Sequence, residues 1–167
     1  MKEVKGNKVY KEDADLMLVQ GCHDGDLSKV VRAVELYEAD VNAMDAAGYA
    51  RALIYALRCC NGNDDVGETI VKYLINNGAE VNFKHGDKYS HEESRPYFVY
   101  WVAENRFASD DLVYFVITHS DKENLYYKPT SKTYRHMYER TIDVIKQSRP
   151  KLYKKLLDKK IITPNKR

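Results

Sequence analysis

The chain carries one short tail twice, as Ala39-Asp40-Val41-Asn42 and Ala79-Glu80-Val81-Asn82, 40 residues apart. Each copy follows a segment with the apolar spacing of a helix. In Val66–Asn82, residues Ile70, Val71, Leu74 and Ile75 recur at i, i+1, i+4 and i+5 and form one stripe. Gly78 then supplies a residue that tolerates the left-handed conformation at which helices end. A repeated unit of this kind cannot bury its apolar face alone. It folds by stacking on a neighbour, which points to an array of helical units.

The rest of the chain fits such an array. Residues 1–12 alternate in charge and read as a lead-in segment. A first helix is expected over Asp13–Gly25, with Leu16, Leu18, Val19 and Cys22 on its apolar face, and a second over Leu27–Tyr37. After the turn Asp45-Ala46-Ala47-Gly48 comes a helix over Ala52–Cys60, with Leu53, Ala56 and Leu57 inward. The polar loop Asn61–Asp65 leads to the helix that ends at Gly78. Tyr97–Trp101 reads as core filling. Residues 121–132 form a polar linker, followed by helices over Lys132–Gln147 and Arg149–Lys160. Pro150 suits the first turn of the last helix, with Ser148 as its expected cap.

These motifs resemble the ankyrin repeats, a family built from a turn and two antiparallel helices every ~33 residues. Gly25-Asp26-Leu27 and Ala39–Asn42 match a first repeat, and Asp45–Gly48, Leu53, Ala56 and Val71–Asn82 match a second. Arg95-Pro96, Val102–Asn105 and Leu112–Ile117 resemble a degenerate third. The sequence departs from the family at several points. Ala50-Arg51-Ala52-Leu53 replaces the Thr-Pro-Leu-His signature, and the loop from Cys60 to Gly67 is long. The first repeat has one extra residue near Tyr37-Glu38 and no helix-ending Gly. The third has an enlarged turn, Lys84–Ser94, and Ser120-Asp121 in the place of Gly-Ala. The resemblance implies an all-α ankyrin-type helical repeat solenoid. Residues 13–120 would form about three repeats, and residues 121–167 a C-terminal two-helix cap with a basic tail.

Composition narrows the function. A length of 167 residues suits one domain, and 44% apolar with 31% charged residues is ordinary for a folded chain. No apolar run approaches a membrane span, and Met1–Lys5 has no signal-peptide character. Cys22, Cys59 and Cys60 lack the spacing of a disulfide framework, which favours a reducing compartment and a cytoplasmic location, in the source cell or in a host cell. Lys146–Arg167 holds nine Lys or Arg against the single acid Asp158, while the remainder holds eighteen bases and twenty-four acids. Fourteen tyrosines suit surfaces that are both apolar and hydrogen-bonding.

No motif sets a nucleophile beside a base, Gly86-Asp87-Lys88 is not a phosphate loop, and adjacent Cys59-Cys60 are awkward as joint ligands to one metal ion. The expectation is therefore no catalytic residue, no metal and no cofactor. What repeat arrays offer is a surface for another protein, formed by their turns and first helices. On that scheme His23 and Asp24 represent the first repeat, Tyr49 and Arg58 the second, and Glu104 and Asn105 the third. The enlarged turn adds Lys88, Tyr89, His91 and Arg95. The expected role is to bind, and so occlude or inhibit, a partner protein, as a viral, phage or bacterial effector would. Short arrays are marginal, which leaves homodimerisation open. The rival reading is a nucleic-acid-associated protein using the basic segment Lys146–Arg167.

Overall fold

A computed structural model describes residues 11–86, 95–128 and 140–164. Among them the regular elements are all helical: α1 (Lys11–Asp24), α2 (Leu27–Glu35), α3 (Ala52–Arg58), α4 (Val66–Asn76), α5 (Phe98–Glu104), α6 (Asp110–His119), α7 (Thr141–Ser148) and α8 (Pro150–Asp158). A 3-10 turn at Lys122–Leu125 follows α6. The chain divides into two compact units, Met1–Glu80 and Val81–Arg167. The division falls inside the second tail, so the residues expected to form a third repeat belong with those expected to cap the array. It also sorts charge: residues 1–80 carry nine Lys or Arg against fourteen Asp or Glu, and residues 81–167 carry eighteen against eleven.

In the first unit α1 packs on α2 and α3 on α4, and the pairs meet as two layers, α1 against α3 and α2 against α4. Leu18, Val30, Leu53, Ile70, Val71 and Leu74 are fully buried between them. Burying a side chain of this type contributes about 1.5–3 kcal/mol. Leu53, Ala56 and Leu57 face inward as expected. Leu16 does not: it is 54% exposed. Ala14, Leu18 and Cys22 form the buried i, i+4, i+8 stripe of α1, and Leu16 sits about 200° around the helix from Leu18.

The repeated tails are built alike. Gly78 takes φ +91°, and Glu38 occupies the same left-handed region at φ +57° in the copy that lacks glycine. The extra residue near Tyr37-Glu38 is absorbed here. The Ala79 N–H reaches back five residues to the Leu74 carbonyl (2.9 Å), whereas Ala39 reaches back six to Ala33 (3.0 Å). The tail asparagines then link one tail to the next. Asn42 Oδ1 accepts from the Glu80 N–H at 2.8 Å, and Asn82 Oδ1 accepts from the Asp121 N–H at 2.9 Å. By this pattern Ser120-Asp121 stands where Ala-Glu stands in the second copy, one position from the place the sequence comparison gave it. Arg51, within the tetrapeptide that departs from the signature, donates to Glu80 (2.9 Å) and to Asn42 Oδ1 (3.3 Å).

The second unit repeats part of this plan. Met44 and Arg51 close the turn before α3 as an antiparallel bridge, and Lys84 and Tyr97 close the enlarged turn before α5 likewise. In each case the next residue donates across the base of the turn, Ala52 to Ala43 and Phe98 to Phe83, both at 2.8 Å. Of the run Tyr97–Trp101 expected to fill the core, Phe98, Val99 and Tyr100 are buried, whereas Tyr97 and Trp101 are half-buried. Tyr127 serves as an apolar wall with a polar rim: Lys84 Nζ lies 4.4 Å from its ring centre and 3.1 Å from its hydroxyl. α7 packs on α5 and α8 on α7, with Ile142, Ile145, Leu152 and Leu156 buried. The expected start of α7, at residues 132–139, lies outside the described residues. Pro150 opens α8, but Ser148 does not cap it. Its hydroxyl donates back to the Val144 carbonyl at 2.7 Å inside α7, and Arg149 takes the cap position.

Candidate functional site

The first unit gathers several of the expected residues on the side formed by α1, α3 and the preceding turn. His23 and Asp24 end α1, where Gly25 and Asp26 turn the chain into α2. Asp26 fixes that turn by accepting from the Lys29 N–H at 2.9 Å, a side-chain cap. Cys59, just past α3, donates its thiol to the Cys22 carbonyl at 3.1 Å, satisfying an acceptor that the end of α1 leaves unpaired. This contact brings the ends of α1 and α3 together, and with them His23 and Arg58.

Between these two lies Tyr55, which sequence reasoning passed over. Its ring is 5.7 Å from that of His23, and the Arg58 guanidinium stands over its face at 5.4 Å. The Tyr55 hydroxyl donates to Asp45 Oδ2 at 2.8 Å. Asp45 in turn holds its own turn closed, with Oδ1 accepting from the Tyr49 N–H at 2.8 Å. Tyr55 was findable, since it precedes Arg58 by three residues and so shares its helical face. The partnership with Asp45 carries no sequence signal.

The electrostatics follow from these bonds. Partial burial works to raise the Asp45 carboxyl. Hydrogen bonds from the Tyr49 N–H, the Tyr55 hydroxyl and the Ala50 N–H outweigh that and hold it below the usual carboxylate range. The same bond to Asp45, with some burial, raises the Tyr55 hydroxyl. Asp24 is lowered, first by its hydrogen bond with His23 (3.0 Å). A fixed tyrosine is thus flanked by a cation on one side and an imidazole–carboxylate pair on the other.

The cysteines lie behind this surface. Burial pushes the Cys22 and Cys60 thiols up to about 12. Half-buried Cys59 is raised as well, by burial and by the carboxylates of Asp24 and Asp64. Thiols held so high are protonated and weakly nucleophilic at neutral pH. Since the native pKa lies above the unfolded value near 9, the contribution of these thiols to stability is complete below pH 9 and is lost as pH rises toward 12. Urea midpoints are therefore expected to fall across that window, and Cys22→Ser is expected to flatten the fall. An unchanged profile in the variant would contradict the burial described. Among the described residues no group of three or more His, Cys, Asp or Glu is arranged to hold a metal ion, and no helix is long and apolar enough to cross a membrane.

The remaining expected residues lie elsewhere. Lys88, Tyr89 and His91 fall outside the described residues. Arg95 is half-buried just before Pro96. In the second unit Glu104 is exposed and lines a cavity of about 410 Å³ with Arg106, Asp110, Ser148 and Lys151. Asn105 is engaged in holding the fold: its Oδ1 accepts from the Phe107 N–H at 2.9 Å and its carbonyl from Arg149 at 2.7 Å. In comparisons with known proteins, no protein-family model and no curated protein matches the chain.

Proposed function

We propose that this chain is a non-catalytic, ankyrin-type repeat module that binds a partner protein through the first unit, at the surface centred on Tyr55. The observation that carries this reading is the arrangement of Tyr55, Arg58 and His23 around one ring, held from below by Asp45. Tyrosine and arginine dominate binding hot spots because each combines a large contact area with directional polar groups. Here the tyrosine hydroxyl is already satisfied, so docking a partner on the ring costs little side-chain entropy. Asp24 and Tyr49 extend the surface with an exposed carboxylate and a second aromatic. Ala46, Ala47 and Gly48, exposed at the tip of the turn, leave room for a partner to approach. Such a module acts by covering part of its partner, as an inhibitor or adaptor does, and needs no cofactor.

The ankyrin-type reading draws support from the recurrent tail, its asparagine-to-backbone link, and the paired helices of each unit. The binding reading is tested by capture from lysate of the source cell or its host, with the intact chain beside the double variant Tyr55→Ala, Arg58→Ala. Loss of two hot-spot side chains is expected to weaken retention of a specific protein at least tenfold. Arg58 is exposed and half-buried Tyr55 is not among the buried residues of α3, so the circular dichroism of the variant is expected to match the parent. Equal retention by the two folded proteins would refute the assignment.

A further inference from the structure

The second unit presents a basic surface in which aromatic side chains from α6 and the turn before it are interleaved. Leu152 and Leu156 pin α8 to α7, which turns Lys151, Lys154, Lys155 and Lys159 to the exposed side. Lys151, Lys155 and Lys159 repeat every four residues and form a stripe about 12 Å long at 1.5 Å per residue. Lys155 and Lys159 stand over the Tyr114 ring of α6, at 4.4 and 5.7 Å. At the other end of the stripe Lys151 shares the 410 Å³ cavity with Arg106. Arg106 lies over the ring of Phe107 at 4.6 Å, and Phe107 is 46% exposed, one of the few large apolar side chains so placed.

Acids near this surface do not cancel it. Asp110 is occupied by Arg149 at 2.8 Å, and Asp111 sits 4.0 Å from Lys155 while remaining 85% exposed. Glu104 lines the cavity and Asp158 is exposed on α8. Set against Arg106 and four lysines, these leave a positive strip.

We infer that the face formed by Arg106, Phe107, Tyr114, Lys151, Lys155 and Lys159 binds single-stranded nucleic acid. The cations follow the phosphates, and a base stacks on the exposed Phe107 ring. Evenly spaced cations alone suit any polyanion. An exposed aromatic at one end, already stacked by an arginine, is what a strand with unpaired bases can use and a duplex cannot. The stripe is long enough to run beside three or four nucleotides of a stacked strand, at ~3.4 Å each.

The test uses the full chain and a fluorescein-labelled oligothymidylate of about 15 nucleotides, a length within the usual range of single-strand sites. Fluorescence anisotropy is measured against salt concentration, beside a duplex of equal length. With four cations engaged, log K is expected to fall with log salt at a slope near −2.8, since single strands give about −0.7 per contact. Exchanging Lys151, Lys155 and Lys159 together for Gln is expected to bring the slope to about −0.7. Phe107→Ala is expected to weaken binding about tenfold while leaving the slope in place. The proposal is overturned by absence of binding at low salt, or by a slope that the triple variant does not change. Duplex bound as tightly as the single strand, with Phe107→Ala without effect, overturns it too and marks a general polyanion surface.

Discussion

Arg149→Ala is expected to destabilise the second unit by about 3 kcal/mol or more, among the largest losses available to a single substitution there. Arg149 sits between α7 and α8, with its side chain 10% exposed. Its guanidinium is divided among three acceptors: the Ala103 carbonyl (3.3 Å), the Asn105 carbonyl (2.7 Å) and Asp110 Oδ1 (2.8 Å). Two of these are carbonyls at the end of α5, which the helix itself leaves without donors. The ion pair with half-exposed Asp110 is the smaller part, because water screens it. Removing the side chain strands the carbonyls and leaves a void where the α7–α8 corner meets α5. Lysine offers one ammonium in place of a planar fork and is expected to recover less than half the loss. Urea unfolding of the two variants beside the parent measures both effects. A loss under about 1 kcal/mol for Arg149→Ala would be the size of one ordinary hydrogen bond and would contradict the clamp.

Gly67→Ala is expected to be comparably damaging in the first unit, against the usual sign of the exchange. Alanine within a helix is normally favoured over glycine by about 0.5–1 kcal/mol. Gly67 lies in the first turn of α4, where a Cβ would stand 2.5 Å from the Cys60 nitrogen, 2.6 Å from the Cys59 carbonyl carbon and 2.9 Å from its oxygen. All three are backbone atoms, so no side chain can swing away. Either α4 lifts from the end of α3 or the chain at Cys59-Cys60 bends. Overpacking of this kind costs about 1–3 kcal/mol, and rigid backbone on both sides places this case at the upper end. The displacement also disturbs Cys59, whose thiol joins the ends of α1 and α3, so partner binding is expected to weaken with stability. An alanine variant with an unchanged or higher urea midpoint would mean that α4 does not approach this closely.

What could be read from the residues was what repeats locally. The Ala-acidic-Val-Asn tail, the apolar stripe through Ile70–Ile75 and the turn residues identified the helix pairs, because these signals recur within one or two helical turns. Even the missing glycine of the first copy was visible, though not that Glu38 would adopt its backbone conformation. Leu16 was misplaced because a run of apolar residues does not reveal which ones share the stripe. Ser148 was misplaced because a hydroxyl at a helix junction can serve the helix behind it as readily as the one ahead. The long-range partnerships were not legible. Tyr55 meets Asp45 across ten positions, Cys59 meets Cys22 across thirty-seven, and Arg149 meets Asn105 across forty-four. The basic segment reads as having a single interleaved aromatic, Tyr153. Tyr114 and Phe107 join it only once α6 and the turn before it are placed beside α8.

The protein-binding surface is tested most directly by site-specific photo-crosslinking in lysate. A photoreactive phenylalanine analogue replaces Ala46, exposed in the turn beside the Tyr55 surface, in one protein and Thr69, exposed on the α4 layer of the same unit, in another. A specific adduct of one partner from position 46, absent from position 69, is the result expected of a partner seated on the Tyr55 surface. The same adduct from both positions, or from position 69 alone, would place the partner elsewhere and contradict it.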